Sequence, residues 1–515
     1  MPTYLSPGVY VEEVPSGARP LEGVGTAVAA FVGLAEDGPF NEPTLVSNWT
    51  AFTDTFGGFV PGSYLARSVY AFFNQGGGNA YVVRIGPNGS EPKSSRAPKE
   101  LPSGPQALHG RLKVTALDEG TAPGELSIEI SDPGGESPEP EMFKLVVKKD
   151  GEVVEEFDQV TFGRGKTNVV TVVKASSKLI SVEEVKGAAM ARPENAEVDL
   201  MEPPPPAAVP SPRLSSDDYV GDVADRTGFG GLETVDEITM LAVPDLMSAY
   251  QQGVLDLEGV QAVQLGMIAH CELMGDRIAI IDPPPGLNAQ QVKEWRTDKA
   301  GYDSAFAALY YPWVKTANPA TGKIDFMPPS GHIAGIWGRN DDTRGVHKAP
   351  ANEVVRGVLS LELALTTKEQ ELLNPLGINC IRAFAGRGIR VWGARTMSSD
   401  PAWRYLNIRR LFNYLEESIL AGTNWVVFEP NDPALWARIR RTISAFLVNE
   451  WRKGALFGAT PDEAFYVKCD DETNPAEGID AGQVVCEVGV APVKPAEFVI
   501  FRLAQFSGGT SLVSE

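Results

Sequence analysis

The chain of 515 residues is poor in the residues that build cross-linked, metal-bound or membrane-spanning proteins. Only four are cysteines, Cys271, Cys380, Cys469 and Cys486; they are too sparse and too far apart for a disulfide framework, which suits a reducing compartment. The four histidines, His109, His270, His332 and His347, show no ligand spacing with one another or with cysteine, so no metal site is expected. Positive charge is the minority sign. The 45 Lys and Arg face 67 Asp and Glu, a net charge of −22, which argues against a general nucleic-acid binder. No apolar run approaches a bilayer span; residues 26–35 are among the longest. The start, Met1-Pro2-Thr3-Tyr4, lacks a basic segment followed by an apolar run. Neither a secretory signal nor a membrane partner is therefore expected, and the protein would form in the cytoplasm and leave it by lysis or a dedicated route. A hydrophobic content of 43% still permits sizeable cores. A chain of this length holds about two to four domains.

Catalytic signatures are missing as well. Gly165-Lys166-Thr167 has the end of a phosphate-binding loop, but Val160 stands where its first glycine belongs, and the stretch reads as part of an all-β region. Gly23-Val24-Gly25 and Gly386-Arg387-Gly388 each lack the third glycine of a dinucleotide fingerprint. Ser330, His332 and Asp341 have no Gly-x-Ser-x-Gly elbow to make a hydrolase triad. His270 and Cys271 are adjacent and point apart, so a buried thiol is the expectation. Asp282 closes an apolar strand, where Pro283-Pro284-Pro285 reads as a plain exit turn. Asn48-Trp49-Thr50 and Asn88-Gly89-Ser90 match glycosylation sequons, which mean little without a signal. No catalytic residue, cofactor or metal is assigned.

What is present is a pattern of elements. Residues 27–34 and 80–85 read as buried strands and 64–73 as a helix closed by Gly76-Gly77-Gly78, an α/β unit. Residues 86–106 are rich in Pro, Ser, Gly and charge and read as a linker. From 108 to about 185 short alternating runs, the last of them Val169-Val170-Thr171-Val172-Val173, read as a small β-sandwich with a hairpin at Asp150-Gly151. Pro203-Pro204-Pro205-Pro206 begins a second, stiff linker, so the module reads as an insertion. Alternating β and α resumes near Asp218: strands at 240–244 and 277–282 flank a helix over 257–273, and strands follow at 310–314 and 389–393. A mostly parallel sheet is expected.

Two helices near the end are sharply marked. Asp400-Pro401 predicts the start of one and Gly422 its end, with Ile408, Leu411, Phe412, Leu415 and Ile419 as its apolar stripe. Asp432-Pro433 and Gly454 bound the other, with Trp436, Ile439, Ile443, Phe446 and Leu447 facing inward and Arg438, Arg441, Arg452 and Lys453 on the opposite side. Residues 380–460 carry 12 Lys and Arg against 6 Asp and Glu, leaving −28 for the rest of the chain. This asymmetry predicts a surface for an acidic partner, or else arginines paired with acids elsewhere in the fold. Residues 465–469 and 483–488 pair naturally as an antiparallel ribbon, which two strands alone barely stabilise. The two chain ends are each strand-like. Val9, Tyr10 and Val11 lie between Pro7 and Pro15; Phe498 and Ile500 on one face, with Val499, Phe501 and Leu503 on the other, make a doubly apolar strand. Such strands either dock at home or complete a sheet in a neighbouring molecule.

Several runs resemble the contractile tail sheath proteins. They are Ser6-Pro7-Gly8-Val9-Tyr10-Val11-Glu12-Glu13, Gly386-Arg387-Gly388-Ile389-Arg390-Val391-Trp392-Gly393-Ala394-Arg395-Thr396, Trp403-Arg404-Tyr405-Leu406-Asn407-Ile408-Arg409-Arg410-Leu411, Glu416-Glu417-Ser418-Ile419, Phe428-Glu429-Pro430-Asn431-Asp432 and the closing 498–506. The resemblance covers about residues 1–90 and 235–515 and is strongest to phage-tail-like extracellular contractile injection systems. It implies an α/β (α+β) core of the tail sheath type over 21–90 and 218–495, an inserted all-β domain over 91–217, and strand arms at 1–20 and 496–515. It further implies a non-enzymatic subunit of stacked six-fold rings around an inner tube, with copies of itself, the tube, baseplate and terminal cap proteins as partners. By the same resemblance the arms (Val9, Tyr10, Val11, Phe498, Val499, Ile500, Phe501, Leu503) join a ribbon carrying Tyr466, Val467, Val484, Val485 and Val488, and Arg438, Arg441, Arg452 and Lys453 face the tube. The tail sheath of a true phage virion is the alternative; a soluble enzyme or a static shell protein is less favoured.

Overall fold

The computed structural model describes residues 21–86 and 214–502 and the greater part of 106–200. Val9, Tyr10, Val11, Leu503 and the proline run at 203–206 lie outside the described residues. The chain divides into two compact units, residues 1–91 with 212–515 and residues 92–211.

The larger unit is built on an eight-stranded sheet. Its strands are β1 (Val28–Gly33), β2 (Thr44–Val46), β3 (Asn79–Arg84), β4 (Met240–Ala242), β5 (Ile278–Ile281), β6 (Ala307–Tyr311), β7 (Ile378–Phe384) and β8 (Gly388–Val391), in the order β8-β7-β6-β5-β4-β1-β3-β2. The six central strands run parallel, and β2 and β8 close the two edges antiparallel. Every residue of β4, β5 and β6 is buried. Strands apolar on both faces require cover on both faces, and that is what the helices supply.

Helices α1 (Leu65–Gln75), α2 (Leu257–Met274) and α3 (Ser330–Arg344) provide the cover. On one face Val260, Val263, Met267 and Cys271 of α2 pack with Ala30, Val32, Leu241, Ala279 and Ile281. On the other, Val69 and Phe72 of α1 and Ile333, Ile336 and Trp337 of α3 pack with Ala29, Phe31, Met240, Ile278 and Ile280. Each such side chain contributes about 1.5–3 kcal/mol when fully buried. Helices α1 and α3 touch backbone to backbone. A Cβ on Gly331 would stand 2.5 Å from the Ser68 carbonyl oxygen, and one on Gly335 would stand 2.3 Å from that of Phe72, so this crossing admits only glycine. Buried Asp245 ties the end of β1 to the start of α1, accepting hydrogen bonds from the N–H groups of Leu34, Tyr64 and Leu65 and from the Ser63 hydroxyl.

The expected strand at 310–314 is split. β6 ends at Tyr311, and Val314–Ala317 belongs to a separate three-stranded sheet with Ile324–Met327 and Val358–Leu361. Pro312 cannot donate to a ladder, and Trp313 turns inward, its Nε1 donating to the Pro283 carbonyl at 2.9 Å.

The smaller unit has two antiparallel sheets around one core. Gln106–His109, Leu112–Ala116 and Ile180–Glu184 form the first; Leu126–Ser131, Phe143–Lys149, Glu152–Val160 and Ala196–Asp199 form the second. Leu112, Val114, Ile128, Ile130, Leu145 and Val147 share the interior. The unit is not all β. Residues Val169–Ser176 are a helix, because the Asn168 side chain caps it on the Thr171 N–H, and Val169 and Val173, four apart, face the core together. Gly165 therefore does lie between a strand and a helix, but the loop still has the buried Val160 in place of the first glycine of a phosphate cradle.

Candidate assembly surface

The C-terminal part of the larger unit joins two long helices, a ribbon and an outgoing chain segment. Helix α4 spans Leu406–Thr423 and α5 spans Pro433–Arg452. Asp432 caps α5 on the Leu435 N–H at 2.7 Å, and Trp436, Ile439, Ile443, Phe446 and Leu447 are all buried against Leu411 and Leu415 of α4. Helix α4 starts later than Asp400-Pro401 predicts. Thr396 holds Arg404 and Trp403 in a strand-like turn (its N–H donates to the Arg404 carbonyl and its hydroxyl to the Trp403 carbonyl), and Arg395 bridges Tyr405, so 401–405 cannot be helical. Gly422 lies inside α4 rather than after it. A Cβ there would stand 2.4 Å from Leu21, so its purpose is close approach.

The ribbon consists of β9 (Phe465–Lys468) and β10 (Glu487–Val490), antiparallel, with Val467 opposite Val488 and Tyr466 opposite Gly489. Phe465, Val467, Val488 and Val490 pack against the helical core. On the outer face the Tyr466 ring lies over Gly489, where a Cβ would meet Tyr466 Cε1 at 2.1 Å. The second strand is thus displaced from the expected 483–488. Val484 and Val485 precede it, and the backbone of Val485 is already taken: its N–H donates to Asn474 Oδ1 at 2.7 Å and its carbonyl accepts Asn474 Nδ2 at 3.0 Å. An asparagine amide imitates a strand partner at Val485, and neither valine belongs to the paired part of the ribbon.

Among the described residues after the ribbon, 491–502, no strand is formed. Phe498, Val499, Ile500 and Phe501 are solvent-exposed, Phe501 to 84%. Just before them the chain is fastened. The Glu497 carboxylate accepts Arg395 Nε at 2.9 Å, Arg395 Nη2 at 2.6 Å, Asn374 Nδ2 at 2.8 Å and the Tyr405 hydroxyl at 3.3 Å. Burial pushes this carboxyl up, but the hydrogen bonds of Arg395 and Asn374 and the Arg395 charge outweigh it, so its pKa falls below the usual value. Arg395 is itself seated, exchanging backbone hydrogen bonds with the Asn379 side chain. The fastened segment walls a cavity of about 1260 Å³ whose other lining includes Arg344, Lys348, Arg382 and Trp392.

The four cations assigned to α5 are all exposed. Arg438 is held by Glu429 at 2.8 Å and lies 5.0 Å over the Trp425 ring; Lys453 is held by Glu450 at 2.7 Å. Among the described residues Arg441 and Arg452 form no ion pair.

Of the residues weighed for catalysis, the two carboxylates have structural partners. Asp341 is paired with Arg410 at 2.6 Å, each side chain only 3% exposed, and cannot orient His332. Asp282 reaches the N-terminus of α3, accepting the Ser330 N–H at 3.0 Å, and burial pushes it up to about 7. Among the described residues no three His, Cys, Asp or Glu side chains are grouped as metal ligands, and no helix is long and apolar enough to cross a membrane.

Comparison with known proteins adds two adjoining matches, the phage tail sheath protein central domain over residues 240–397 and the phage tail sheath C-terminal domain over 398–506. The tail sheath protein of Burkholderia phage BcepMu is 24% identical over 520 residues, covering 96% of this chain and 95% of the relative. That of Vibrio phage KVP40 is 26% identical over 243 residues, 44% of this chain, so the match spans only 35% of the relative. Among solved structures, the helical sheath of the anti-feeding prophage in its contracted state is 25% identical with a TM-score of 0.59, covering 98% of this chain and all of that one. A contracted sheath complex of the extracellular contractile injection system PVC shares the fold at a TM-score of 0.57 and 23% identity.

Proposed function

Because the chain belongs to the phage tail sheath family, we propose that it is the repeating subunit of a contractile sheath that polymerises in stacked six-fold rings around an inner tube and contracts to drive that tube through an envelope. It acts as a structural part and not as an enzyme. The observation that carries this reading is the exposed apolar segment 498–501, which forms no strand and leaves the body at a fastened point, in a chain that also carries a ribbon of only two strands. A two-stranded ribbon is marginal alone and has open edges. The segment supplies a strand that satisfies such an edge in a neighbouring subunit, and Tyr466, Val467 and Val488 lie on the accepting ribbon. The segment at Val9, Tyr10 and Val11, outside the described residues, is assigned the same role from the other end. Links of this kind hold the lattice together while subunits rotate. The free energy of contraction is then stored in the extended lattice and released as new contacts form, with no nucleotide consumed. Arg441 and Arg452 face an acidic tube surface in the extended state.

The decisive experiment is electron microscopy of particles assembled from this subunit with its tube and baseplate partners. Long and short sheaths of one subunit composition, the short ones with an emptied or protruding tube, are expected. A soluble monomer under all conditions, or a single lattice that never shortens, overturns the proposal. A second reading, the tail of a phage virion, is favoured by the near full-length likeness to the BcepMu tail sheath. Heads attached to the same particles would decide for it.

A further inference from the structure

Two of the four thiols, scattered in the sequence, come together at the root of the ribbon. The last register pair of the ribbon is Lys468 with Glu487, and Cys469 and Cys486 are the residues that follow it on the two strands, just beyond the ladder. Both thiols are free, and each is within hydrogen-bond reach of the other. The intervening loop presses them together. Asn474 Nδ2 lies 3.8 Å from Cys469 Sγ, and the same side chain grips Val485, next to Cys486, through both backbone groups. Opposed residues of an antiparallel pair have Cα atoms about 4.5–5.5 Å apart. That separation falls inside the range of about 4.4–6.8 Å a disulfide spans. By contrast Cys271 and Cys380 are buried in the sheet core, where neither has a thiol partner among the described residues.

We propose that Cys469 and Cys486 are a redox lock: in an oxidising medium they close an intrachain disulfide that fixes the loop 470–485 to the ribbon. With a small-molecule disulfide such as oxidised glutathione as oxidant, the step balances. Cys486 is half-exposed and Cys469 buried, so Cys486 loses its proton and its thiolate attacks one glutathione sulfur, releasing the first glutathione thiolate. The Cys469 thiolate then attacks Cys486 Sγ in the mixed disulfide and releases the second. Two thiols are oxidised, and one small disulfide is reduced to two thiols. Burial pushes both thiols up, Cys486 to about 12; Asp470 beside Cys469 and Glu487 beside Cys486 add to this, and the Arg440 guanidinium, which donates to the Cys469 carbonyl, only partly offsets it, so few thiolates exist at neutral pH and closure is slow there and faster as pH rises. A subunit made under reducing conditions therefore stays open and closes only on sustained exposure to an oxidant. Formation of the bond is independent of the sheath reading.

The test incubates the full-length protein with oxidised glutathione at alkaline pH, then denatures, alkylates and digests it. Closure is expected to lower the intact mass by about 2 Da and to leave two fewer alkylatable thiols, with a peptide pair linking Cys469 to Cys486. Backbone amides of 470–485 should then exchange hydrogen more slowly than in reduced protein, with no such slowing in Cys486→Ser. All four thiols still alkylatable, a persistent glutathione adduct on Cys486, a cross-link between two chains, or a closed bond with unchanged exchange in the loop would each overturn the lock.

Discussion

Glu497→Ala removes the fastening of the outgoing segment in one step. It deletes the acceptor of four hydrogen bonds, two of them from Arg395 in a bidentate ion pair, and strands Arg395, whose side chain is 9% exposed, without its counter-charge. Breaking a fully buried pair costs about 3–5 kcal/mol, but Glu497 is 21% exposed and water replaces part of the loss, so about 2–3 kcal/mol is expected. That cost falls on the attachment of 494–502 and not on the core, because 498–501 are already exposed. At about 1.4 kcal/mol per tenfold, the detached population rises roughly 30–140-fold. Spin labels on Val499→Cys and Glu371→Cys, both on the cavity wall, in a Cys486→Ser background, report this as a distance distribution that is narrow with Glu497 and broad with alanine. Acid should act likewise. The Glu497 pKa is depressed in the folded chain, so its contribution is complete above the ordinary glutamate value and is lost as pH falls through the lower folded value; Glu497→Gln should show no such transition. An equally narrow distribution in the alanine variant, or a large drop in the global melting temperature, would refute the fastening.

Four further outcomes are expected. Deleting 1–15 or 497–515 should leave a folded, soluble protein that forms no sheath by negative-stain microscopy; full-length sheaths from either truncation count against the arms. Joining Gly86 to Leu214 through a short Gly/Ser linker should leave polymerisation intact, since the 92–211 unit has its own core and this junction keeps buried Leu214 and the Ser215 cap with the larger unit; loss of all assembly with a folded core would show that the unit is required. Arg441→Glu with Arg452→Glu should reduce assembly on the tube but not tube-free polymerisation, by about 0.2–1 kcal/mol per contact, and high salt should mimic the loss; assembly like that of the parent at low salt refutes the tube-facing assignment. Gly335→Ala should cost about 3 kcal/mol or more in chemical denaturation, because its Cβ meets backbone at 2.3 Å, whereas Gly338→Ala, with 3.4 Å to its nearest neighbour, should be neutral or gain up to about 1 kcal/mol; equal effects would refute the close crossing of α1 and α3.

Elements whose local signals agree with their packing were readable in the sequence. Helix α5 carries its cap, its N1 proline and its apolar stripe in one continuous stretch, and all five inward residues are buried as the spacing predicts. The buried parallel strands announce themselves by apolar runs. The failures share a cause: the deciding partner lies far away in the chain. Asp400-Pro401 is a good helix start on its own, but Thr396 and Arg395 draw 403–405 into another pairing. Gly422 looks like a stop until Leu21 is placed beside it. The run at 169–173 is β-branched, and only Asn168 before it signals the helix it forms. Asn474 pre-empts Val485 and so shifts the ribbon by several residues, an effect no periodicity in 483–488 reveals. The spacing Gly331-x-x-x-Gly335 was a readable sign of close helix contact that the hydrophobic pattern alone passes over.

The charge asymmetry resolves by the same reasoning. Of the 12 cations in 380–460, five hold acids: Arg395 on Glu497, Arg409 on Glu416, Arg410 on Asp341, Arg438 on Glu429 and Lys453 on Glu450. Glu497 and Asp341 lie outside that window, 102 and 69 residues from their partners, so a local count registers the cation and misses the acid. The Arg410 pair in particular is internal cement, stacked on Trp337 between α4 and α3, and says nothing about an outside partner. A basic window therefore overstates a basic surface. What α5 retains exposed and without an ion pair among the described residues is Arg441 and Arg452, eleven residues and roughly 16 Å apart along the helix, since Arg440 is part-buried and donates to the Cys469 carbonyl. Two exposed, screened charges per subunit bind weakly at each contact. On the proposed reading such contacts act only in sum over every subunit, and each is weak enough to break if the lattice widens.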